Sequence, residues 1–462
     1  MAEPRMGRAV LGVMLAIFLG AMESTVVATA MPKVVGSLGG LHMYSWVFSG
    51  FLLTSTVTMP LWGRLSDLYG RRTMYLTGLL VFLVGSALSG LSRTMIELIG
   101  FRMLQGLGAG ALITIGMTII GELFGLERRA KMQGYISGVW GVASLVGPLL
   151  GGLLTDYVSW RWVFYINLPF GALAMVLIAG ALPKGRPTAR TPVIDYAGVV
   201  LFAIGVSALL LGVLEAGRVG AWGGRDVLGT LALALGALVA FVAVERRAPE
   251  PIVPLGLFGN RIVLAAVVTG FLSGMAMFGA ISFVPLFLQQ VSGTSATQAG
   301  FVLTPFIIGW VVLSAASARL VLRIGYRSVV MVGMVCLALA FTLLSRWGVT
   351  LTPATAMRDV LLAGVGMGMT MVPMLIAVQS AVPRAALGVA TSMTQFFRAV
   401  GGAIGLSVMG AVMAQRLQAG QPMVEALHGV FVVGLVICVG ALAAALLVPA
   451  GRAQALARAA GG

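Results

Sequence analysis

The sequence predicts an all-α, polytopic membrane protein, and three observations carry that reading. Hydrophobic residues fill 59% of the 462 positions and charged ones 10%, with a mean hydropathy of +1.03. That is more apolar surface than a soluble core can hide. The apolar stretches run for about 18–28 residues, enough to cross about 30 Å of hydrocarbon as helices. They are also continuous and rich in glycine, whereas barrel strands would alternate over about ten residues.

Taken in order, the runs fall at 9–31, 44–62, 73–91, 97–120, 132–155, 161–182, 194–214, 227–244, 262–288, 297–321, 328–346, 357–381, 388–414 and 428–449, which makes fourteen spans. An even count puts both ends of the chain on one side. The start also has features of a signal peptide: Arg5 and Arg8, an apolar run, then Ala-Thr-Ala at 28–30. Glu23 interrupts that run and a dozen more apolar segments follow, so an uncleaved first helix is expected.

The formal charge of +16 invites a nucleic-acid reading, but the basic residues do not gather in a domain. They sit in short loops and alternate in density. With cytoplasmic ends, about twenty Lys and Arg fall inside, among them Arg64, Arg71, Arg72, Arg128, Arg129, Lys131, Lys184, Arg186, Arg190, Arg246 and Arg247. About eight fall outside, such as Lys33, Arg93 and Arg225. This positive-inside asymmetry explains the charge without nucleic acid and predicts a multi-pass protein of the cell (inner) membrane with both termini cytoplasmic. Cys336 and Cys438 lie far apart inside spans, and His42 and His428 lie in loops. Neither set makes a disulfide framework or a metal site, and no cofactor is implied.

An internal duplication organises the chain. "GRLSDLYGRR" at 63–72 and "ARLVLRIGYR" at 318–327 share Arg, Leu, Gly and Arg in register at an offset of 255 residues. "GLGAG" at 106–110 recurs as "GVGMG" at 364–368, 258 residues on, and Arg102 recurs as Arg358 at 256. Two parallel six-helix halves are expected, at 1–190 and 248–462, with a two-helix insertion at 191–247 between them. Halves that close alternately over a central site suit a transporter that rocks.

With those residues in hand, "GRLSDLYGRR" resembles the signature loop of the major facilitator superfamily, matched at Gly63, Asp67, Gly70, Arg71 and Arg72. The fourteen spans, "ESTVVATAMP" at 23–32, "RMLQGLGAG" at 102–110, "GPLLGG" at 147–152 and "SWRWVFYINLPFG" at 159–171 look like the fourteen-helix drug:proton antiporter family, the EmrB/QacA type. That family usually carries Asp where this chain has Glu23. The resemblance implies that residues 63–72 hold the cytoplasmic side closed, and that Gly147, Pro148, Gly151 and Gly152 form an antiporter motif shaping a helix that moves. Each motif has a plainer reading too. Arg71 and Arg72 serve as positive-inside anchors, although that leaves Asp67 unexplained. Gly147, Gly151 and Gly152 serve close helix packing. Tyr157, Trp160, Trp162 and Tyr165 read as an interfacial belt, and the 26 methionines as packing or as a soft surface for apolar cargo.

Three charges are expected deep in the membrane: Glu23 and Arg102 in its outer half, Arg398 near the middle. At about 3 kcal/mol or more each, such charges face a cavity or a partner. A carboxylate whose surroundings change as the halves rock changes its affinity for a proton. Glu23 is therefore the expected proton carrier, with Arg102 or Arg398 assisting release. The alternative is a permanent ion pair that stabilises the bundle. Asp156, Asp359, Asp195 and Glu122 are expected near helix ends, so acids within the membrane are scarce and neutral or monovalent amphiphiles suit the interior. No HExxH, nucleophile–base pair, Walker A lysine or soluble output domain is present, which argues against an enzyme and against direct ATP drive. The expectation is a monomeric, proton-coupled exporter of amphipathic drugs or toxic organic compounds, with a lipid or secreted-metabolite exporter on the same fold as the alternative. Its partners would be protons, the cargo and the bilayer.

Overall fold

The computed structural model describes residues 3–40, 43–183, 195–219, 222–294 and 296–449. His42 and the loop cations Lys184, Arg186 and Arg190 lie outside them. Among the described residues every regular element is helical. The residues form two compact units. One comprises Met1–Gly125, Gly138–Asp195 and Arg384–Ser392, the other Leu126–Ser137, Tyr196–Pro383 and Met393–Gly462. The two short segments that cross over begin at Leu126 and Arg384, 258 residues apart, which is the offset between the glycine motifs.

The first unit holds α1 (Glu3–Leu38), α2 (Tyr44–Tyr69), α3 (Arg71–Leu91), α4 (Met95–Leu123), most of α5 (Leu126–Tyr157), the single turn α6 (Trp162–Tyr165) and α7 (Asn167–Ala181). The second holds α8 (Tyr196–Val219), α9 (Arg225–Glu245), α10 (Arg261–Gln290), α11 (Ala296–Ile324), α12 (Tyr326–Leu344), α13 (Pro353–Ala381), all but the first turns of α14 (Leu387–Gln418), and α15 (Met423–Ala445). Helices lie over all fourteen apolar runs, and among the described residues thirteen are long and apolar enough to cross a membrane. The second run is the difference. Its helix, α2, carries Ser49, Thr54, Ser55, Thr56 and Thr58, whose hydroxyls lower its hydropathy. Three of those hydroxyls are nonetheless spent on carbonyls: Thr54 Oγ1 lies 2.9 Å from the Met103 carbonyl, Ser55 Oγ donates to Leu52 at 3.0 Å, and Thr58 Oγ1 donates to Thr54 at 2.9 Å.

The run expected at 161–182 is broken at Ile166 into α6 and α7. Pro169 explains the break, because its ring crowds the carbonyl four residues earlier, at Tyr165. The aromatic belt expected there is split as well. Tyr157 is 83% exposed, but Trp160 is buried, edge-on to Phe164 and under the Arg161 guanidinium, while the Tyr165 ring lies against Gly90.

Helices α4 and α13 are the central members of their units, and their glycine triplets show why. A Cβ on Gly106 would meet the Phe51 carbonyl of α2 at 2.5 Å, one on Gly108 the Gly78 carbonyl of α3 at 2.5 Å, and one on Gly110 Thr58 of α2 at 2.5 Å. Glycines two apart lie about 200° apart around a helix, so the triplet seats α2 on one side and α3 on the other. Gly364 and Gly368 do the same for α11, against Phe306 and Trp310, and Gly366 for α12, against Gly333. The repeated motif is thus a repeated packing device. In α8 and α9, which pair with each other, Val200, Ile204, Leu233, Leu235 and Val239 stay exposed, as lipid-facing helices require.

Replacing Gly108 by Val forces α3 away from α4. It is expected to destabilise the protein by about 1–3 kcal/mol, read as a lowered midpoint of thermal unfolding in detergent. Gly100→Ala, whose Cβ enters open space, should leave the midpoint unchanged.

Candidate functional site

Glu23 lies in α1 and has no solvent exposure; Arg102 of α4 has 1%. The two form an ion pair, from Arg102 Nη1 to Glu23 Oε1. The partners of the pair are first-unit residues. Arg102 Nη1 also donates to Gln105 Oε1 at 2.7 Å, one turn along α4, and its guanidinium lies 4.1 Å from the Phe51 ring centroid. Asn167, at the start of α7, donates from Nδ2 to Glu23 Oε2 at 2.7 Å and to Ser86 Oγ at 2.9 Å; Ser86 in turn donates to the Phe164 carbonyl. Asn167 Oδ1 is buried and finds no partner among the described residues. Two carboxylate oxygens thus meet one fixed cation and one amide, in a setting where removing either charge strands the other.

The motif at 147–152 packs next to this pair. A Cβ on Gly147 would collide with Thr25 Oγ1 and approach the Met22 carbonyl at 3.4 Å, and one on Gly151 would meet the Val26 carbonyl at 2.6 Å. Gly147 and Gly151 therefore lay α5 against the stretch of α1 that carries Glu23. Gly152 faces open space, and Pro148, exposed, removes one backbone donor from the middle of α5.

A second polar cluster of the same unit lies where α2 turns into α3. Asp67 accepts from the backbone N–H of Gly388 at 3.0 Å and of Val389 at 2.9 Å, capping the positive end of α14. Arg71 pairs with Asp67 and reaches Glu122 from Nε at 2.9 Å and Nη2 at 2.8 Å, while its Nη1 donates to Ser66 Oγ at 2.6 Å. Gly70, with φ of +90°, makes the turn between α2 and α3, a conformation that favours glycine. Gly63 has a different task, since a Cβ there would strike Ser392 and come within 2.8 Å of the Gly388 carbonyl. Arg72 lines a cavity of about 220 Å³ with Arg71, Glu122 and Leu182.

Arg398, the third expected deep charge, belongs to the second unit. There it donates from Nη1 to Met371 Sδ at 3.5 Å. Arg358 does not repeat the part of Arg102: its side chain is 66% exposed and pairs with its neighbour Asp359 at 2.8 Å. Asp359, expected merely near a helix end, is buried and accepts from Trp347 Nε1 at 2.9 Å. The sequence reading did not single out Asn167, Gln105 or Ser66. Gln105 was signalled by its position one turn after Arg102, and Asn167 by being an amide within an apolar run.

The profile of the Major Facilitator Superfamily matches residues 13–406. The multidrug transporter protein MdtP of Bacillus subtilis (strain 168) is 42% identical over 405 residues, covering 88% of this chain and 75% of the relative. Multidrug resistance protein 3 of the same organism is 36% identical over 407 residues, covering 87% and 78%. Among solved structures, the proton:xylose symporter XylE superposes with a TM-score of 0.67 over 98% of both chains at 13% identity, a likeness of fold alone. The chain belongs to the Major Facilitator Superfamily and is a multi-pass membrane transporter rather than an enzyme.

Proposed function

We propose that the protein is a proton-coupled antiporter of the fourteen-helix EmrB/QacA type, which exports amphipathic drugs or toxic organic compounds by alternating access. The observation that carries the proposal is the Glu23 carboxylate, fully enclosed and held by Arg102 and Asn167. An enclosed acid beside a fixed cation has two discrete states, ionised and paired or protonated and released, and only a rearrangement of its neighbours converts one into the other. Asn167 suits both states. Its amide donates to the carboxylate, and its unused Oδ1 provides an acceptor once Glu23 carries a proton. Gly147 and Gly151 tie this switch to α5, so that a shift of α5 alters the surroundings of Glu23.

In this reading Glu23 takes a proton from outside and gives it up inward, with Arg102 favouring release. Asp67, Arg71 and Glu122 hold the cytoplasmic side closed through the first turn of α14. Residues 1–190 and 248–462 are the moving halves, 191–247 are an insertion, and both ends of the chain lie on the cytoplasmic side of the cell (inner) membrane. The names of the two Bacillus relatives support drugs as cargo. Arg398 adds a positive charge to the second unit.

Glu23→Gln is expected to abolish cargo movement driven by an imposed pH gradient in reconstituted vesicles, while the purified protein elutes and unfolds as the parent does. Transport at the parent rate with the same pH dependence would contradict the proposal. Arg102→Met leaves a carboxylate without its cation and should cost about 3–5 kcal/mol of stability. The Glu23→Gln, Arg102→Met double variant should recover most of that loss in thermal unfolding. Asp67→Asn keeps the side chain's shape but weakens the cap on α14 and the pairing with Arg71. A loss of about 1–2 kcal/mol and a several-fold lower transport rate are expected, with cargo binding in detergent unchanged.

A further inference from the structure

Arg102 and Arg398 are both arginines inside the bundle, yet their settings are opposite. Arg102 is matched by a carboxylate. Arg398, eleven residues into α14 and so about 17 Å along it, forms no ion pair among the described residues. Its hydrogen bond goes to a thioether, a weak and neutral acceptor for a group with five donors. It lines a cavity of about 30 Å³ together with Gly270, Thr370, Met371, Met374 and Gln395, and no acidic side chain contributes to the wall. About 10–15 Å³ of such space holds one water, so there is room for the head of a single small polar group. Gly270 keeps the wall open: a Cβ there would sit 3.7 Å from the Thr394 carbonyl, in ordinary contact.

A cation at this depth costs several kcal/mol unless something answers its charge. Among the described residues no carboxylate does so, while the planar fork of an arginine matches a carboxylate or sulfonate bidentately. The surrounding methionines offer a soft wall for an apolar body. We propose that Arg398 recognises a single anionic oxyacid group, a carboxylate or sulfonate, on an otherwise apolar cargo. The preferred cargo is then a monoanionic amphiphile rather than an organic cation. This inference rests on the export reading above, but binding at Arg398 requires no gradient. An anionic headgroup of a lipid presents related chemistry and is separated from a free organic acid by the test.

The test compares radiolabelled 8-anilinonaphthalene-1-sulfonate, a monoanionic amphiphile, with ethidium, a monocationic one. Both are bound to purified protein without a gradient and then followed in vesicles with one. Headgroup-anionic, tail-labelled phosphatidylglycerol is followed in the same vesicles. Arg398→Gln should weaken binding of the sulfonate at least tenfold and leave ethidium within twofold. Arg398→Lys should fall between parent and Gln, and Gly270→Val, which fills the cavity without touching a charge, should also weaken the sulfonate. If phosphatidylglycerol rather than the sulfonate depends on Arg398, the anionic group recognised is a lipid headgroup and the charge assignment stands. Sulfonate binding unchanged in both Arg398→Gln and Gly270→Val, equal losses for sulfonate and ethidium, or a parent protein that handles neither anion would overturn the proposal. Cargo movement that ignores the pH gradient would defeat the proton reading and leave the binding result at Arg398 intact.

Discussion

The structure of the first unit depends on the burial of Glu23. An ionised carboxylate enclosed by apolar helices is tolerable only with a cation in contact and its remaining lone pairs satisfied. Arg102, Asn167 and, through Arg102, Gln105 meet that condition. To bring these groups together, α1, α4 and α7 have to approach one another closely, and close approach of helix backbones is what glycine permits. Gly106, Gly108 and Gly110 seat α2 and α3 on α4, and Gly147 and Gly151 seat α5 on α1 beside the acid. The glycine motifs and the ion pair are therefore two aspects of one arrangement, in which packing excludes water and the exclusion gives the charge pair its strength.

The cluster at the turn between α2 and α3 uses charge differently. Asp67 does not face a second buried charge alone; it spreads its valence over two helix N-terminal amides and Arg71, which Glu122 shares. One unit thus holds both an enclosed charge pair and a cluster that divides its charge among several partners.

Much of this was legible in the sequence, because hydropathy and span length follow directly from the solvent the helices face. Glu23, Arg102, Asp67 and Arg71 stood out because charge is rare in such a chain. What escaped was set by three-dimensional neighbours. Asn167 lies 144 residues from Glu23, and nothing local marks it as the partner. Gly63 is marked in the sequence only as part of the signature loop, and the close approach of Ser392 that requires it lies far along the chain. The duplication was legible as packing, since both glycine triplets do the same work, and misleading as chemistry. Arg358 repeats the position of Arg102, but its side chain is 66% exposed and pairs with the adjacent Asp359, five residues after the start of α13. Hydroxyl-rich α2 likewise hides its polarity in carbonyl bonds that no hydropathy sum records.

The account stands on Glu23 changing its protonation as the carrier works. Infrared difference spectroscopy on the reconstituted protein reads this directly, through the carbonyl stretch of a protonated carboxylic acid enclosed in protein. The account predicts a band that appears when the outside is acidified, disappears when cargo is bound, and is missing from the Glu23→Gln protein. A carboxylate signal from Glu23 that stays ionised under every one of these conditions would contradict it.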